Sequence, residues 1–210
     1  MNKEIIIRNT KKTDFRVVEN LIRDCFFNVY QPGCLEHYVI KNLRESEDYI
    51  EELDFVIEKN GQIIGQNIFA KAELILTDGS LYPILTMGPV CIDRAFQNNG
   101  YGKMLIEYGL EEAGKLGYKA VCFEGDIRFY KKCGFDYAYK KNISYHDFPK
   151  DKLCDFLMLK ELQSGALDGI SGEYRTPEIY FCAMQNKEDF EEFEKTFPYK
   201  EKLKLPSQLF

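Results

Sequence analysis

The residues best placed to do chemistry are Gln97-Asn98-Asn99-Gly100-Tyr101-Gly102-Lys103, a turn between an apolar stretch ending at Ile92 and the most regular amphipathic stretch in the chain. The first amides of a helix lack intrahelical partners and sit at the positive end of its dipole. Such a turn is therefore a ready seat for a phosphate or pyrophosphate. Gly100 and Gly102 let an anion approach the main chain, and Lys103 can add charge beside it. Two other phosphate loops do not fit. A P-loop needs a glycine five residues before its Gly-Lys pair and a hydroxyl after it, where Gln97 and Met104 stand. The dinucleotide fingerprint needs a third glycine where Leu105 sits, and an acidic residue about twenty positions on at the end of a second strand.

The elements around this turn follow from hydrophobic period. Ile5 and Ile7 alternate with their neighbours as in a strand. A helix follows, with Thr13 placed to cap it and Phe15, Val18, Leu21, Ile22 and Cys25 forming one stripe. A second helix is expected from Leu35 to Leu43. Asn60-Gly61 between Phe55-Val56-Ile57 and Ile63-Ile64 predicts a hairpin, because both turn residues tolerate positive φ. The returning strand runs toward Leu76, turns at Thr77-Asp78-Gly79-Ser80, and is followed by a strand from Tyr82 to Ile92. Gly88-Pro89 interrupts that strand, since proline cannot donate to the ladder and glycine invites a bulge. Then come a helix from Gly100 or Tyr101 to about Lys115, a buried strand at Ala120-Val121-Cys122-Phe123, a helical stretch from Asp126 to Lys132 stopped by Gly134, and a strand from Phe135 to Tyr139. The order predicts a mixed α/β sheet. Beyond Ile143 the pattern is β-like and turn-rich, with a glycine-rich loop from Gly165 to Gly172. Phe190, Phe193 and Phe197 at helical spacing predict a terminal helix docking its rings on the body.

Composition narrows the function. A chain of 210 residues with 45% hydrophobic and 30% charged residues is one packed domain, or a domain with an appendage. A net charge of −6 disfavours binding to nucleic acid. The charged start Met1-Asn2-Lys3-Glu4 and the short apolar runs predict neither a secretory leader nor a membrane span, hence a cytoplasmic protein. Cysteines 25, 34, 91, 122, 133, 154 and 182 are widely spaced with no C-x-x-C pair, so reduced thiols rather than disulfides or a metal site are expected. Asn142-Ile143-Ser144 fits a glycosylation pattern only by chance on that reading.

In this setting Gln97-Asn98-Asn99-Gly100-Tyr101-Gly102 resembles the acetyl-CoA signature of the GNAT superfamily of N-acetyltransferases, which reads Gln or Arg, two residues, Gly, one residue, Gly or Ala. The apolar strand Val90-Cys91-Ile92-Asp93 before it and Lys103-Met104-Leu105-Ile106 after it read as such proteins commonly do. Phe129-Tyr130-Lys131-Lys132-Cys133-Gly134-Phe135 is similar to the family's Phe-Tyr-x-x-x-Gly-Phe block. The resemblance covers roughly Glu4 to Lys140, and Leu159 to Leu167 resembles the tail of a little-characterised subgroup. It implies a GNAT-like domain over residues 1–140, an α/β (α+β) fold with a mixed, mostly antiparallel central sheet, a splayed strand pair and flanking helices. Residues 141–210 would form a C-terminal extension packed on that domain rather than an independent one.

The resemblance further implies acetyl-CoA as co-substrate, no metal, and transfer of the acetyl group to a primary amine of a small molecule or peptide. Main-chain groups of Val90, Cys91 and Ile92 would pair with pantetheine, and amides of Gln97, Asn98, Asn99, Gly100, Tyr101, Gly102 and Lys103 would bind the pyrophosphate. Tyr130 would be the acid that protonates the departing thiolate. Two departures stand out: Arg94 replaces a common proline, and Phe123 stands where many members place an asparagine. Glu73, Glu124 and Asp126 are candidates for the base, while His37 and His146 lie outside the motifs. Cys91 and Cys122 are expected to be buried thiols. The rival readings are a non-catalytic acyl-CoA-binding or regulatory module and transfer of a longer acyl group. A homodimer is the commonest soluble assembly, though nothing in the sequence selects it.

Overall fold

The protein is described by a computed structural model covering residues 5–149 and 151–208; Met1–Glu4, Lys150 and Leu209–Phe210 lie outside the described residues, as does part of the charged start. Strand β1 (Ile5–Asn9) pairs antiparallel with β2 (Tyr49–Lys59). Between them run helices α1 (Phe15–Phe26) and α2 (Glu36–Leu43). Thr13 does not cap α1. It lies in a 3-10 turn, where Asp14 instead takes the Lys11 amide at 2.8 Å and the Arg8 guanidinium at 2.7 Å. The expected hairpin joins β2 to β3 (Gln62–Leu76), with Asn60 at φ 52° and Gly61 at φ 79°.

β3 pairs antiparallel with β4 (Leu81–Ile92) along most of its length. After α3 (Tyr101–Lys115) comes β5 (Ala120–Glu124), which runs parallel to β4. The helical stretch after β5 is shorter than expected: α4 spans Ile127–Tyr130 and passes into a 3-10 turn, stopped at Gly134 with φ 85°. The strand expected to Tyr139 is only β6 (Asp136–Tyr137), because the chain turns into a 3-10 segment at Ala138.

The residues beyond 140 are woven into the same sheet. β8 (Leu157–Glu161) lies between β5 and β6, antiparallel to both. β7 (Ile143–Tyr145) pairs with β9 (Gly172–Tyr174), and β9 adds to the far end of β3. Among the described residues nine strands form one mixed, mostly antiparallel sheet.

Alternation along the strands gives the sheet two coated faces. Ile57, Phe69, Leu85 and Val121 meet Leu105, Ile106 and Leu110 of α3 on one face. A β carbon at Gly109 would stand 2.5 Å from Phe69 Cε2, so only glycine lets α3 lie this close. On the opposite face Val56, Ile68 and Ala70 meet α1 and α2, while Leu74, Ile84, Cys122 and Tyr174 form an adjoining cluster. Beneath α2, the buried Asp54 accepts hydrogen bonds from Thr10 Oγ1 at 2.6 Å and Arg44 Nε at 2.8 Å. No helix among the described residues is long and apolar enough to cross a membrane.

Short helix α5 (Cys182–Gln185) leads into α6 (Lys187–Glu194), and Phe190, Phe193 and Phe197 dock around His37 at ring separations of 6.1, 5.3 and 4.9 Å. His37 is thus structural. Glu194 joins the helices, with Oε1 2.5 Å from Arg23 of α1 and Oε2 2.8 Å from His37 Nε2 of α2. Burial raises the Glu194 carboxyl, but its contacts with His37 and Arg23 outweigh this and hold it at about 2, below the ordinary 4.5. The stabilisation this provides is present above pH 4.5 and is lost as pH falls toward 2. Glu194→Gln should therefore lower the melting temperature at pH 7 and reduce the slope of stability against pH in the acid range. An unchanged acid slope in the variant would contradict this assignment.

Candidate functional site

β4 is held on one edge and released on the other. Val90, Cys91 and Ile92 lie opposite Asn67, Gln66 and Gly65 of β3. Between the pairs Asn67–Val90 and Phe69–Met87, β4 carries one residue more than β3, so the ladder is disturbed at Gly88-Pro89 as the sequence predicts. Toward β5 there is a single paired position, Leu85 with Val121. Beyond it the two strands part, and among the described residues the outer edge of β4 through Ile92 has no strand partner.

The loop at the end of β4 is braced by its own side chains. Asp93 Oδ1 accepts from the Ala95 amide at 2.8 Å, and Gln97 Nε2 donates to the Ile92 carbonyl at 2.9 Å. Asn99 Nδ2 donates to the carbonyls of Gln97 at 2.8 Å and Phe96 at 3.2 Å. Gln97 and Asn99 thus shape the loop with their side chains, which leaves main-chain amides as the groups that could seat an anion. Asn98 (φ 60°) and Gly100 (φ 83°) take left-handed conformations, the kind of alternation that turns successive N–H groups into a concavity. Open space surrounds Gly100 where a β carbon would be, and α3 begins at Tyr101. Lys103 is exposed, with Nζ 3.4 Å from Glu107, so its charge is shared along the helix.

Tyr130 reaches this region because α4 leans on the first turn of α3: a β carbon at Gly102 would lie 3.3 Å from Phe129 Cζ. The Tyr130 ring meets Phe123 edge-on at 4.6 Å, Phe129 at 5.0 Å and Phe135 at 6.0 Å. Phe123, the residue in place of the asparagine, is therefore a wall that orients the tyrosine. Gly125 completes the fit, since a β carbon there would stand 2.7 Å from Tyr130 Cε2 and 2.8 Å from Phe123 Cε2. Burial, reinforced by Tyr30, Cys133 and Asp126, pushes the Tyr130 phenol above its usual range. At neutral pH it holds its proton and can donate it.

The other candidates separate clearly. Asp126 caps α4 through the Arg128 amide at 2.9 Å and is gripped by the Arg128 side chain, so it is committed to structure. Glu73 lies opposite Pro83, near the far end of β4. His146 Nδ1 is 2.8 Å from Glu173. The Cys91 thiol is pushed well up by its hydrogen bond with Cys25 and by burial, and burial does the same to Cys122, so neither is a ready nucleophile. The Gly165–Gly172 loop is tied to Tyr82, whose hydroxyl donates to the Ala166 carbonyl at 2.9 Å. Tyr82 precedes Gly88 by six residues, about 20 Å along a strand, so this loop lies away from the parted end.

Contacts not anticipated from the sequence arise from the end of β9 onward. The Tyr180 hydroxyl donates to the Gly88 carbonyl at 2.8 Å, and the Tyr174 hydroxyl lies 2.9 Å from Thr86 Oγ1. Thr176 donates to Glu124 at the end of β5. No local pattern marks these residues, because each meets a strand some 50 to 90 positions away. Among the described residues no group of three or more His, Cys, Asp or Glu is arranged to hold a metal.

A mixed sheet that parts between two parallel strands, with a loop of free amides at the parted end, defines the class of fold that the two sequence blocks resemble. The sequence profile of the Acetyltransferase (GNAT) family matches residues 15–135, more than half of the chain, and the chain belongs to that family. Among curated proteins, the Uncharacterized N-acetyltransferase YhbS of Escherichia coli K12 is 26% identical over 119 residues, which are 55% of this chain and only 65% of that protein. The crystal structure of Escherichia coli YhbS in complex with CoA superposes with a TM-score of 0.74 at 23% identity, covering 86% of this chain and 93% of that one. A GNAT family acetyltransferase from Brucella melitensis, in complex with acetyl-CoA, gives a TM-score of 0.67 at 20% identity, covering 85% and 99%. These likenesses establish the fold.

The tight fit of Tyr130 yields a paired test on stability. Gly125→Ala drives a methyl into the two rings and should cost about 1–3 kcal/mol. Gly114→Ala, in α3 with open space around its β carbon position, should gain about 0.5–1 kcal/mol from helix propensity. Urea midpoints of the two variants should move in opposite directions; a neutral Gly125→Ala would mean that the ring is not confined.

Proposed function

We propose that this protein transfers the acetyl group of acetyl-CoA to a primary amine of a small-molecule or peptide acceptor, by direct attack of the amine on the thioester. The observation that carries the reading is the outer edge of β4 beyond Leu85, unpaired among the described residues, which leads into the amide loop, with Tyr130 packed on Phe123 of the strand across the gap. The residues fit acetyl-CoA on geometry: a free strand edge for the amides of pantetheine, left-handed Asn98 and Gly100 with open space at Gly100 for the pyrophosphate, and a protonated phenol near the parted strands. The CoA and acetyl-CoA complexes of the Escherichia coli and Brucella melitensis proteins support the same assignment.

On the edge turned away from β3, main-chain groups of Val90 and the Ile92 amide pair with the pantetheine arm as a substitute strand, while Cys91, expected to share that role, turns its main chain to Gln66 of β3 and the Ile92 carbonyl is taken by Gln97; amides from Gln97 to Lys103 hold the pyrophosphate. Bound there, acetyl-CoA supplies a thioester whose carbonyl carbon is open to an amine and whose sulfur departs with the bond electrons. A main-chain N–H on Val90 to Ile92 receives the negative charge that develops on the carbonyl oxygen. Tyr130 donates its proton to the leaving sulfur, a role suited to a phenol that burial keeps protonated, and the proton that the amine nitrogen sheds on forming the amide passes to water, from which the phenol regains its own.

Tyr130→Phe keeps the ring and removes only the hydroxyl. Acetyl transfer, followed as released CoA, should slow by roughly 100-fold, the lower end for a general acid. The rise in melting temperature produced by millimolar acetyl-CoA should be retained, because ligand binding to the folded state stabilises by RT ln(1 + [L]/Kd). A variant as fast as the wild type would remove Tyr130 from the mechanism. A wild type stabilised by acetyl-CoA that releases no CoA with any amine would instead support a non-catalytic acyl-CoA-binding module. Faster turnover with succinyl- or longer-chain CoA thioesters would reassign the acyl group.

A further inference from the structure

The segment from Tyr174 to Tyr180 touches both strands at the place where they part. Thr86 and Gly88 of β4 receive Tyr174 and Tyr180, and Glu124 of β5 receives Thr176. The register puts these contacts on one level. Leu85 pairs with Val121, so Gly88 and Glu124 each stand three residues beyond the last bridge, about 10 Å along their strands. Glu124 thus faces the parted gap opposite the disturbed turn at Gly88-Pro89.

Alternation along β5 sets the direction of its side chain. Val121 and Phe123 point to the α3 face, where Phe123 meets Tyr130, while Ala120 and Cys122 pack with Ile84 and Tyr174 on the other. Glu124 shares the latter face. The gap is therefore flanked by a phenol from one face of the sheet and a carboxylate from the other.

The carboxylate is held by hydroxyls rather than neutralised by a cation. Thr176 spends its proton on Glu124, so the Tyr145 hydroxyl, 2.8 Å from Thr176 Oγ1, donates in turn. Glu124 itself is exposed. Glu124 thus brings a carboxylate to a mouth lined by Tyr145, Tyr174 and Tyr180.

We infer that Glu124, positioned by Thr176 and Tyr145, is the specificity-determining residue that seats the reacting end of the acceptor, and that the acceptor is an alkylammonium rather than a neutral arylamine. The inference rests on the acetyltransferase reading above. An alkylamine resembles a lysine side chain, with a pKa of about 10.4, and reaches the protein as a cation at neutral pH, releasing its proton to water before the neutral nitrogen attacks. A carboxylate at the entrance to the gap attracts it, whereas an arylamine of similar bulk gains nothing from that charge. The C-terminal segment then has a role in recognition: its tyrosines close the mouth and its threonine aims the carboxylate.

The test uses the full chain with acetyl-CoA and a panel of cationic acceptors (spermidine, 2-phenylethylamine and a lysine-containing peptide) against the neutral 4-methylaniline. Wild type should prefer the cationic acceptors. Glu124→Gln, which keeps the shape and can still accept from Thr176, should raise KM for its best cationic acceptor at least tenfold and leave KM for acetyl-CoA unchanged. Thr176→Val should shift KM in the same direction and Thr176→Ser should restore it, marking Thr176 as a positioning residue. Equal amine KM in wild type and Glu124→Gln, or a wild type that prefers 4-methylaniline, overturns the inference while leaving acetyl transfer intact. If wild type releases no CoA with any acceptor, the acetyltransferase reading itself fails, and the role of Glu124 falls with it.

Discussion

A strand edge left without a partner is costly in any sheet, and the rest of this structure is arranged around one. Main-chain N–H and C=O groups need partners when they are withdrawn from water, and an open edge invites any passing strand. The outer edge of β4 escapes pairing because β5 meets it only at Leu85 and Val121 and then diverges. What keeps β4 straight enough to present that edge is its other side, where β3 follows it from Ile75–Leu81 to Gly65–Ile92. Behind it α3 lies close only because Gly109 admits the Phe69 ring, and that approach sets where the amide loop at the helix start comes to rest.

The charges around this edge are divided by direction rather than by amount. The chain is acidic overall, with a net charge of −6, yet the end of β4 offers an anion the free amides of a helix start. The Glu124 carboxylate at the gap stands on the face of the sheet that carries Tyr174. Burial pushes Tyr130, Tyr174 and Tyr180 all upward, so these phenols act as proton-bearing donors at neutral pH. A donor that accepts no charge is suited to a buried wall, where an ionised group would need a partner.

What could be read in advance was local. The Asn60-Gly61 hairpin, the interruption at Gly88-Pro89 and the glycine turn before α3 each depend on a few neighbouring residues with special backbone needs, and each lies where the spacing places it. Local preference also misled where a neighbour competed. Thr13 is drawn into a 3-10 turn closed by the Asp14 carboxylate, which Arg8 and the Lys11 amide share, and so does not cap α1. Phe123 looked like a missing asparagine, whereas its ring packs on Tyr130, a contact visible only once β5 and α4 are folded together. The last third was the least legible. β7 and β9 are three residues each, too short for a period to register, and nothing near Leu157–Glu161 reveals that it enters the middle of the sheet.

The position of β8 also affects how the chain comes into being. During synthesis from the N-terminus, β5 emerges well before β8, the strand that will cover its far edge from Ala120–Glu161 to Glu124–Leu157. Until then β5 has one bridge to β4 and an open flank, and the ladder from β3 to β9 is still missing its second half. Non-local pairings of this kind form late, because a long loop must close before any contact rewards it. The nascent protein therefore passes through an interval with both edges of β5 unguarded, and the last-made segments convert that exposure from two edges into the single parted seam of the finished fold.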